Sequence, residues 1–310
     1  MTTYLVTGGA GFIGSHLCDA LVTRGDTVRV LDNLSTGNRS NLPAGATLIE
    51  GDVADPEIVA AAMEGVDGCF HLAAIASVER GITDWLGTHN ANITGTITVF
   101  DAIRRQGSKI PVVYASSAAV YGDAPTVPIA ETDPCTPLSA YGADKYACEL
   151  HARVASHVHA IPTTGLRFFN VYGPRQDPKS PYSGVISIFC QRIAAGQPIK
   201  IFGDGQQTRD FVYVADVVAA LLAGMGLRAT DSPVFNLCTG IPTSVEALAR
   251  LIADLAGKNL NARSEPPRVG EIRHSFGVPT HANAVLGLSG RVPLRTGLAN
   301  VLAWMAGSTD

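Results

Sequence analysis

Two alternating patterns run through the first 170 or so positions of the chain. Short β-prone runs recur at 3–7, 27–31, 46–50, 68–71, 111–115 and 163–168, apolar enough to be buried on both faces of a sheet. Between them, 12–24 is amphipathic, and 88–105 and 139–157 read as helices. Strands alternating with helices predict an α/β fold built on a parallel sheet covered on both sides. After Asn170 the pattern changes. Residues 173–181 are rich in Pro and polar side chains and read as a loop. Helices are predicted at 186–195, 214–227, 244–257, 281–287 and 296–306, with short strands between them in less regular order. The chain thus divides into a first domain, 1–172, and a smaller mixed α/β lobe made mainly of 173–310, with crossings between the two allowed.

Composition narrows the function classes. Of 310 residues, 46% are hydrophobic and 16% charged, which supports a large core and argues against disorder. A net charge of −4 and the lack of any Lys/Arg run argue against a nucleic-acid partner. No apolar run reaches the ~18 residues that span a bilayer, and residues 4–6 read as a strand, so neither a membrane nor a leader is expected. Cys18, Cys69, Cys135, Cys148, Cys190 and Cys238 share no metal-ligand spacing, and neither do His71, His151, His157 and His274. No metal is expected, and the thiols read as free side chains of a reduced, cytoplasmic protein.

Candidate chemistry starts where the first strand meets the first helix. Gly8, Gly11 and Gly14 are spaced GxxGxxG there. Glycines permit a tight turn and let backbone N–H groups approach a pyrophosphate at the helix N-terminus. The second strand is followed by Asp32, whose carboxylate can accept from ribose hydroxyls and would repel a 2′-phosphate. That favours NAD over NADP. Asp52 and Val53, after the third strand, can meet the adenine, and Leu72, Ala73 and Ala74, after the fourth, leave room for the cofactor to pass. The combination predicts a Rossmann-type, doubly wound parallel sheet.

Tyr141 and Lys145 form YxxxK on the 139–157 helix. Positions i and i+4 share a helix face, so an ammonium stands beside a phenol. A free phenol titrates near 10, and a neighbouring cation favours its ionised form, which makes it a usable base. Ser116 and Ser117 close the preceding strand, at the sheet edge where ligands of parallel sheets bind.

Ser, Tyr and Lys in this order, behind a complete nucleotide motif, resemble the extended short-chain dehydrogenase/reductases, and within them the UDP-hexose 4-epimerases. The resemblance runs nearly end to end, through TGGAGFIGSH (7–16), DNLSTG (32–37), HLAA (71–74), SSAAVYG (116–122), YGADK (141–145), RFFNVYGPRQDP (167–178), GDGQQTRDFVYVADV (203–217) and PRVGEIRHS (267–275). It implies that Tyr141 takes the proton of the sugar 4-hydroxyl, that Lys145 tunes it and holds the nicotinamide ribose, and that Ser117 bridges to the 4-oxygen. It extends the NAD contacts to Phe12, Ile13, Asn33, Ser35, Thr36, Gly37, Ala115 and Phe169, with Asn92 as an amide near the catalytic helix. It places Asn170, Arg209 and Arg268 at the diphosphate, Val185 and Phe202 beside the uracil, and Glu271 and Ser275 around the ribose or sugar. The implied reaction is NAD-dependent inversion at C4 of a UDP-hexose through a 4-keto sugar, with NAD retained as a prosthetic group. A homodimer packed through the helices at 88–105 and 139–157 is implied as well.

Neighbouring activities leave different marks. Related 4,6-dehydratases carry an acidic pair after the catalytic hydroxyl, and uronic-acid decarboxylases a Glu; here Ala118 and Ala119 stand there. The usual RxGD reads Arg268-Val-Gly-Glu271, one methylene longer at the acid. Ser275 replaces a bulky Tyr of some relatives, so N-acetylated hexoses are expected to fit beside plain ones. A UDP-uronic acid 4-epimerase, another nucleotide-sugar dehydratase or reductase, and a non-catalytic NAD-binding sensor stand as alternatives. UDP rather than TDP rests on the resemblance.

Overall fold

The computed structural model describes residues 1–178, 184–267 and 272–307. In chain order its elements are β1 (Thr3–Thr7), α1 (Phe12–Thr23), β2 (Thr27–Asp32), β3 (Ala46–Glu50), α2 (Pro56–Met63), β4 (Gly68–His71), α3 (Val78–Thr83), α4 (Trp85–His89), a π-helical turn (Asn90–Thr94) and α5 (Gly95–Arg105). Then come β5 (Val112–Ser117), α6 (Ala140–His159), β6 (Thr163–Phe168), β7 (Asn170–Tyr172), α7 (Val185–Ala194), β8 (Ile199–Phe202), β9 (Thr208–Tyr213) and α8 (Val214–Leu227). The chain closes with β10 (Val234–Leu237), β11 (Pro242–Ser244), α9 (Val245–Leu255), β12 (Ala262–Glu265), β13 (His274–Ser275), α10 (Thr280–Leu286) and α11 (Leu294–Gly307).

Seven strands form one sheet in the order β10-β6-β5-β4-β1-β2-β3, every pair parallel. Neighbouring residues on the middle strands β1, β2, β4 and β5 enter different cores, because side chains alternate across a sheet. Val6, Val30, Phe70 and Val113 pack with Leu17 and Leu21 of α1 and Val217 and Leu221 of α8. Their neighbours Leu5, Leu31, Cys69 and Val112 pack against α2, α5 and α6 through Val59, Val99, Ile103 and Ala152. Both faces are therefore apolar, which is why the strands read as continuous hydrophobic runs. The order reverses direction between β1 and β4, and that switch point opens a crevice at the carboxyl edge.

The chain crosses between lobes. After β7 it builds α7, β8 and β9, then returns α8 to the face of α1 and β10 to the edge of the large sheet. A third core of Ile186, Phe189, Ile199, Leu248, Ile252 and Leu298 holds the smaller lobe together. There β9 lies between β11 and β13 and also pairs with β7, while β8 pairs with β12. No helix of the described residues is long and apolar enough to cross a membrane.

The single helix expected at 88–105 is instead α4, a π turn and α5. A π turn holds an extra residue within a helix. Asn92, buried in it, donates to the Ile75 carbonyl at 3.3 Å and accepts from the Ile75 N–H at 2.8 Å. Its amide thereby clips the segment after β4 to the helix. β5 ends on Ser116 and Ser117, as expected, and pairing with Arg167 and Phe168 holds them there.

Candidate active site

The ends of β1, β2, β4 and β5 meet on one edge, because their registers align Thr7 with Leu31 and His71, and His71 with Tyr114. The glycine turn opens there. Gly8 sits at φ +69°, and a Cβ on it would lie 2.7 Å from the Ala73 nitrogen. A Cβ on Gly14 would lie 2.2 Å from the Gly8 carbonyl oxygen. Only glycine closes such a turn without moving backbone. Gly11 precedes α1 with no side chain capping the helix, so the first N–H groups, around Phe12 and Ile13, are left to a ligand. This cradle fits a dinucleotide pyrophosphate.

Asp32 closes β2 and is buried. Its carboxylate accepts from the N–H groups of Ala10 and Leu34, each at 2.9 Å. Burial pushes its carboxyl above the usual Asp value, and those two hydrogen bonds partly oppose the shift. A Cβ on Gly37 would come within 2.9 Å of an Asp32 carboxylate oxygen, so the DNLSTG loop can close over the acid only with glycine there. Asn33 accepts from the Ser35 N–H and reaches Asp52 at 3.5 Å, joining the loops after β2 and β3, with Thr36 within the first of them. Val53 is buried beside them. Leu72 and Ala73 follow β4, tied by backbone N–H groups to the carbonyl and hydroxyl of Thr7, with Ala74 next in the chain.

Across the crevice, α6 carries Tyr141 and Lys145. Ser139 caps its N-terminus by accepting from the Gly142 N–H, so Tyr141 lies in the first turn. Lys145 is buried, and its Nζ donates to the Ala115 carbonyl of β5 at 2.8 Å. Ser117, two residues farther along, is half-buried and accepts from the Ala119 N–H, starting a short 3₁₀ turn over Ala118–Tyr121. Phe169 is buried just beyond β6.

The expected nucleotide residues fall on the smaller lobe's side of the crevice. Asn170 opens β7 and is exposed, Val185 opens α7, Phe202 ends β8, and Arg209 lies on β9 opposite Ser275 of β13. Arg209 donates to the Thr208 carbonyl at 2.8 Å. Next to it Asp210, fully buried, accepts from the Thr239, Gly240 and Gly277 N–H groups and the Thr239 hydroxyl, binding β9 to the neighbouring turns. Arg268 and Glu271 lie outside the described residues.

Sequence reading missed the group behind Ser117. Arg167 of β6 pairs with Glu149 of α6 at 2.7 Å, both nearly buried. Two signals pointed to it. An arginine interrupts a strand otherwise free of charge, and Glu149 repeats the four-residue step from Tyr141 to Lys145. Among the described residues no cluster of His, Cys, Asp or Glu could hold a metal, and all six cysteines are free.

The sequence profile of the NAD dependent epimerase/dehydratase family matches residues 4–238. A UDP-glucose 4-epimerase of Mycolicibacterium smegmatis is 38% identical over 304 residues, 96% of each chain. A crystal structure of UDP-glucose 4-epimerase with UDP-glucose from Thermotoga maritima superposes with a TM-score of 0.95 at 36% identity, covering all of both chains. A UDP-N-acetylglucosamine 4-epimerase from Methanobrevibacter ruminantium, in complex with UDP-N-acetylmuramic acid, gives 0.94 at 32% identity over 99% of each chain. The glycine cradle, the acid that closes β2 and a profile match across most of the chain agree: this protein belongs to the NAD-dependent epimerase/dehydratase family.

Proposed function

We propose that the protein is an NAD-dependent isomerase that inverts C4 of a UDP-hexose. The carrying observation is the hydrogen bond from Lys145 to the Ala115 carbonyl, which sets the YxxxK face of α6 against the strand end bearing Ser117, beside the glycine cradle. Gly8, Gly11, Gly14, Phe12 and Ile13 would hold the pyrophosphate of NAD, Asp32 its adenosine ribose, and Lys145 its nicotinamide ribose. The dinucleotide, when bound, supplies a reversible hydride acceptor, so that C4 passes through a ketone and back.

The chain's own residues supply the rest. Tyr141 takes the 4-hydroxyl proton as C4 is oxidised and returns it on reduction. Ser117 holds the 4-oxygen by a hydrogen bond. Arg209 and Arg268 hold the diphosphate, where a planar guanidinium suits paired oxygens, with Asn170 beside them. Val185 and Phe202 pack the uracil. Anchoring through the nucleotide leaves the hexose free to turn about its diphosphate bond and present its other face. Two proteins similar to this one are named UDP-glucose 4-epimerases, which supports the hexose. The small Ser275 and the likeness to a UDP-N-acetylglucosamine 4-epimerase support N-acetylated hexoses as further substrates, Glu271 lying in the same motif.

The active form is a homodimer in this reading. Leu150, Val154 and Val158 recur every four residues on α6 and are 44, 52 and 62% exposed, with Ile97 of α5 exposed as well. An exposed apolar stripe of this kind supports that reading. Six free thiols suit a reducing, cytoplasmic setting. The test is conversion of UDP-galactose by purified protein without added NAD, which this reading requires.

A further inference from the structure

Helix α6 is hooked to the end of β5 at two places one turn apart. Lys145 Nζ donates to the Ala115 carbonyl, and Glu149 accepts from the Ser116 hydroxyl. Ser116 is the chain neighbour of Ser117. The Glu149 carboxylate is itself clamped by Arg167 of β6, whose Nε donates to Oε1 at 2.8 Å and Nη2 to Oε2 at 2.7 Å. This is the bidentate arrangement that fixes both partners in direction as well as distance. Arg167 continues to the turn after Ser117. Its Nη1 donates to the Tyr121 hydroxyl at 2.6 Å and to the Glu131 carbonyl at 3.2 Å, and its guanidinium lies 4.8 Å from the Tyr121 ring centre. Tyr121 in turn donates to Asn236, beyond β6 on β10.

One buried network thus ties the helix of Tyr141 and Lys145, the strand and turn of Ser117, and two further strands of the sheet. Stability alone does not account for it. Both charges are almost out of water, at 7 and 6% side-chain exposure, and a buried ion pair is often no more stabilising than apolar residues of the same size. What the pair adds is direction, at the junction where the proposed base and the proposed hydroxyl must face one oxygen atom. The geometry points to Glu149, held by Arg167, as a positioning residue for C4 inversion: it keeps α6 in register with β5 so that Tyr141 and Ser117 converge. This rests on the epimerase reading above.

The test compares the parent with E149Q/R167M, each as holoprotein. The double substitution removes both charges, so no unpaired ion is left buried, and Gln still accepts from Ser116. Thermal midpoint, retained NAD, UDP affinity, KM, kcat and the pH profile of kcat are measured for both. The expected result is a near-parental midpoint, NAD content, UDP affinity and KM, with kcat lowered ~100-fold, the scale of an ångström of misplacement, and its pH profile displaced. R167K, which keeps the charge but loses the fork, is expected to fall between the two. A double variant whose kcat and pH profile stay within about twofold of the parent overturns the proposal, since such a change is smaller than ~0.5 kcal/mol of barrier. So does a kcat that falls only in step with the midpoint or the NAD content. Failure of the epimerase reading shows separately, in the parent.

Discussion

Gly14 stands against Gly8 so closely that a methyl group on the first would lie 2.2 Å from the carbonyl oxygen of the second. That contact is backbone, with no flexible side chain to give way. Gly14→Ala is expected to push α1 off the turn and weaken NAD binding at least tenfold, the effect of roughly 1.4 kcal/mol or more of overpacking strain. NAD retained through gel filtration, read by absorbance, checks this. Gly226→Ala, where a Cβ meets nothing within 4 Å, is the control and should retain the cofactor in full.

Asp32 carries a pH dependence of cofactor binding. Its carboxyl lies above the ordinary Asp value because it is buried. Lowering the pH therefore protonates it earlier than an exposed Asp and removes the acceptor for the ribose. Since a raised value means that the ionised form opposes folding, protonation at this residue relieves strain, and the fold is not lost through it. NAD affinity measured by fluorescence quenching should fall with acidification while circular dichroism holds. Asp32→Asn should bind weakly at every pH, without that slope.

Tyr141→Phe removes the proposed base and leaves the helix face intact. The expected outcome is a kcat lowered ~10²–10⁴-fold with NAD content and UDP binding unchanged, measured by steady-state kinetics and calorimetry. Ser117→Ala should cost less, because it removes one hydrogen bond to the reacting oxygen and not the proton acceptor.

His71 sets an acid limit on stability. It is buried between the hydroxyls of Thr7 and Thr96, at 2.8 and 2.9 Å, and burial with Lys145 nearby lowers its pKa to about 3. Below the ordinary His value of 6.5 the unfolded chain takes up a proton that the folded one refuses. Stability is then lost as pH falls from 6.5 toward 3, by ~1.4 kcal/mol per unit and about 2 kcal/mol at pH 5. Urea unfolding of His71→Gln should begin lower at neutral pH and show a slope shallower by that amount.

The sheet was legible in the sequence because strands buried on both faces leave continuous apolar runs, as at Val112 and Val113, which enter different cores. The glycine turn, Asp32 and the Tyr141–Lys145 pair were legible because each needs a residue type at a fixed spacing. The π turn at Asn90–Thr94 was not, since one extra residue in a helix hardly disturbs its period. Neither was the return of β10 to the large sheet, which depends on pairing with Gly165–Phe168 seventy or so residues away. Nor was the Glu149–Arg167 pair, because the two lie on separate elements that only the packing of α6 on β6 brings together.

The most direct measurement is proton NMR of the purified protein with UDP-galactose and, separately, UDP-N-acetylgalactosamine, following the anomeric signals with no NAD added. The expected result is conversion of both to mixtures of the C4 epimers, with cofactor carried in by the protein. Conversion of UDP-galactose alone would keep the epimerase and remove the part assigned to Ser275. Conversion of neither, with NAD then supplied and both sugar nucleotides still unchanged, would contradict C4 epimerisation of a UDP-hexose by this chain.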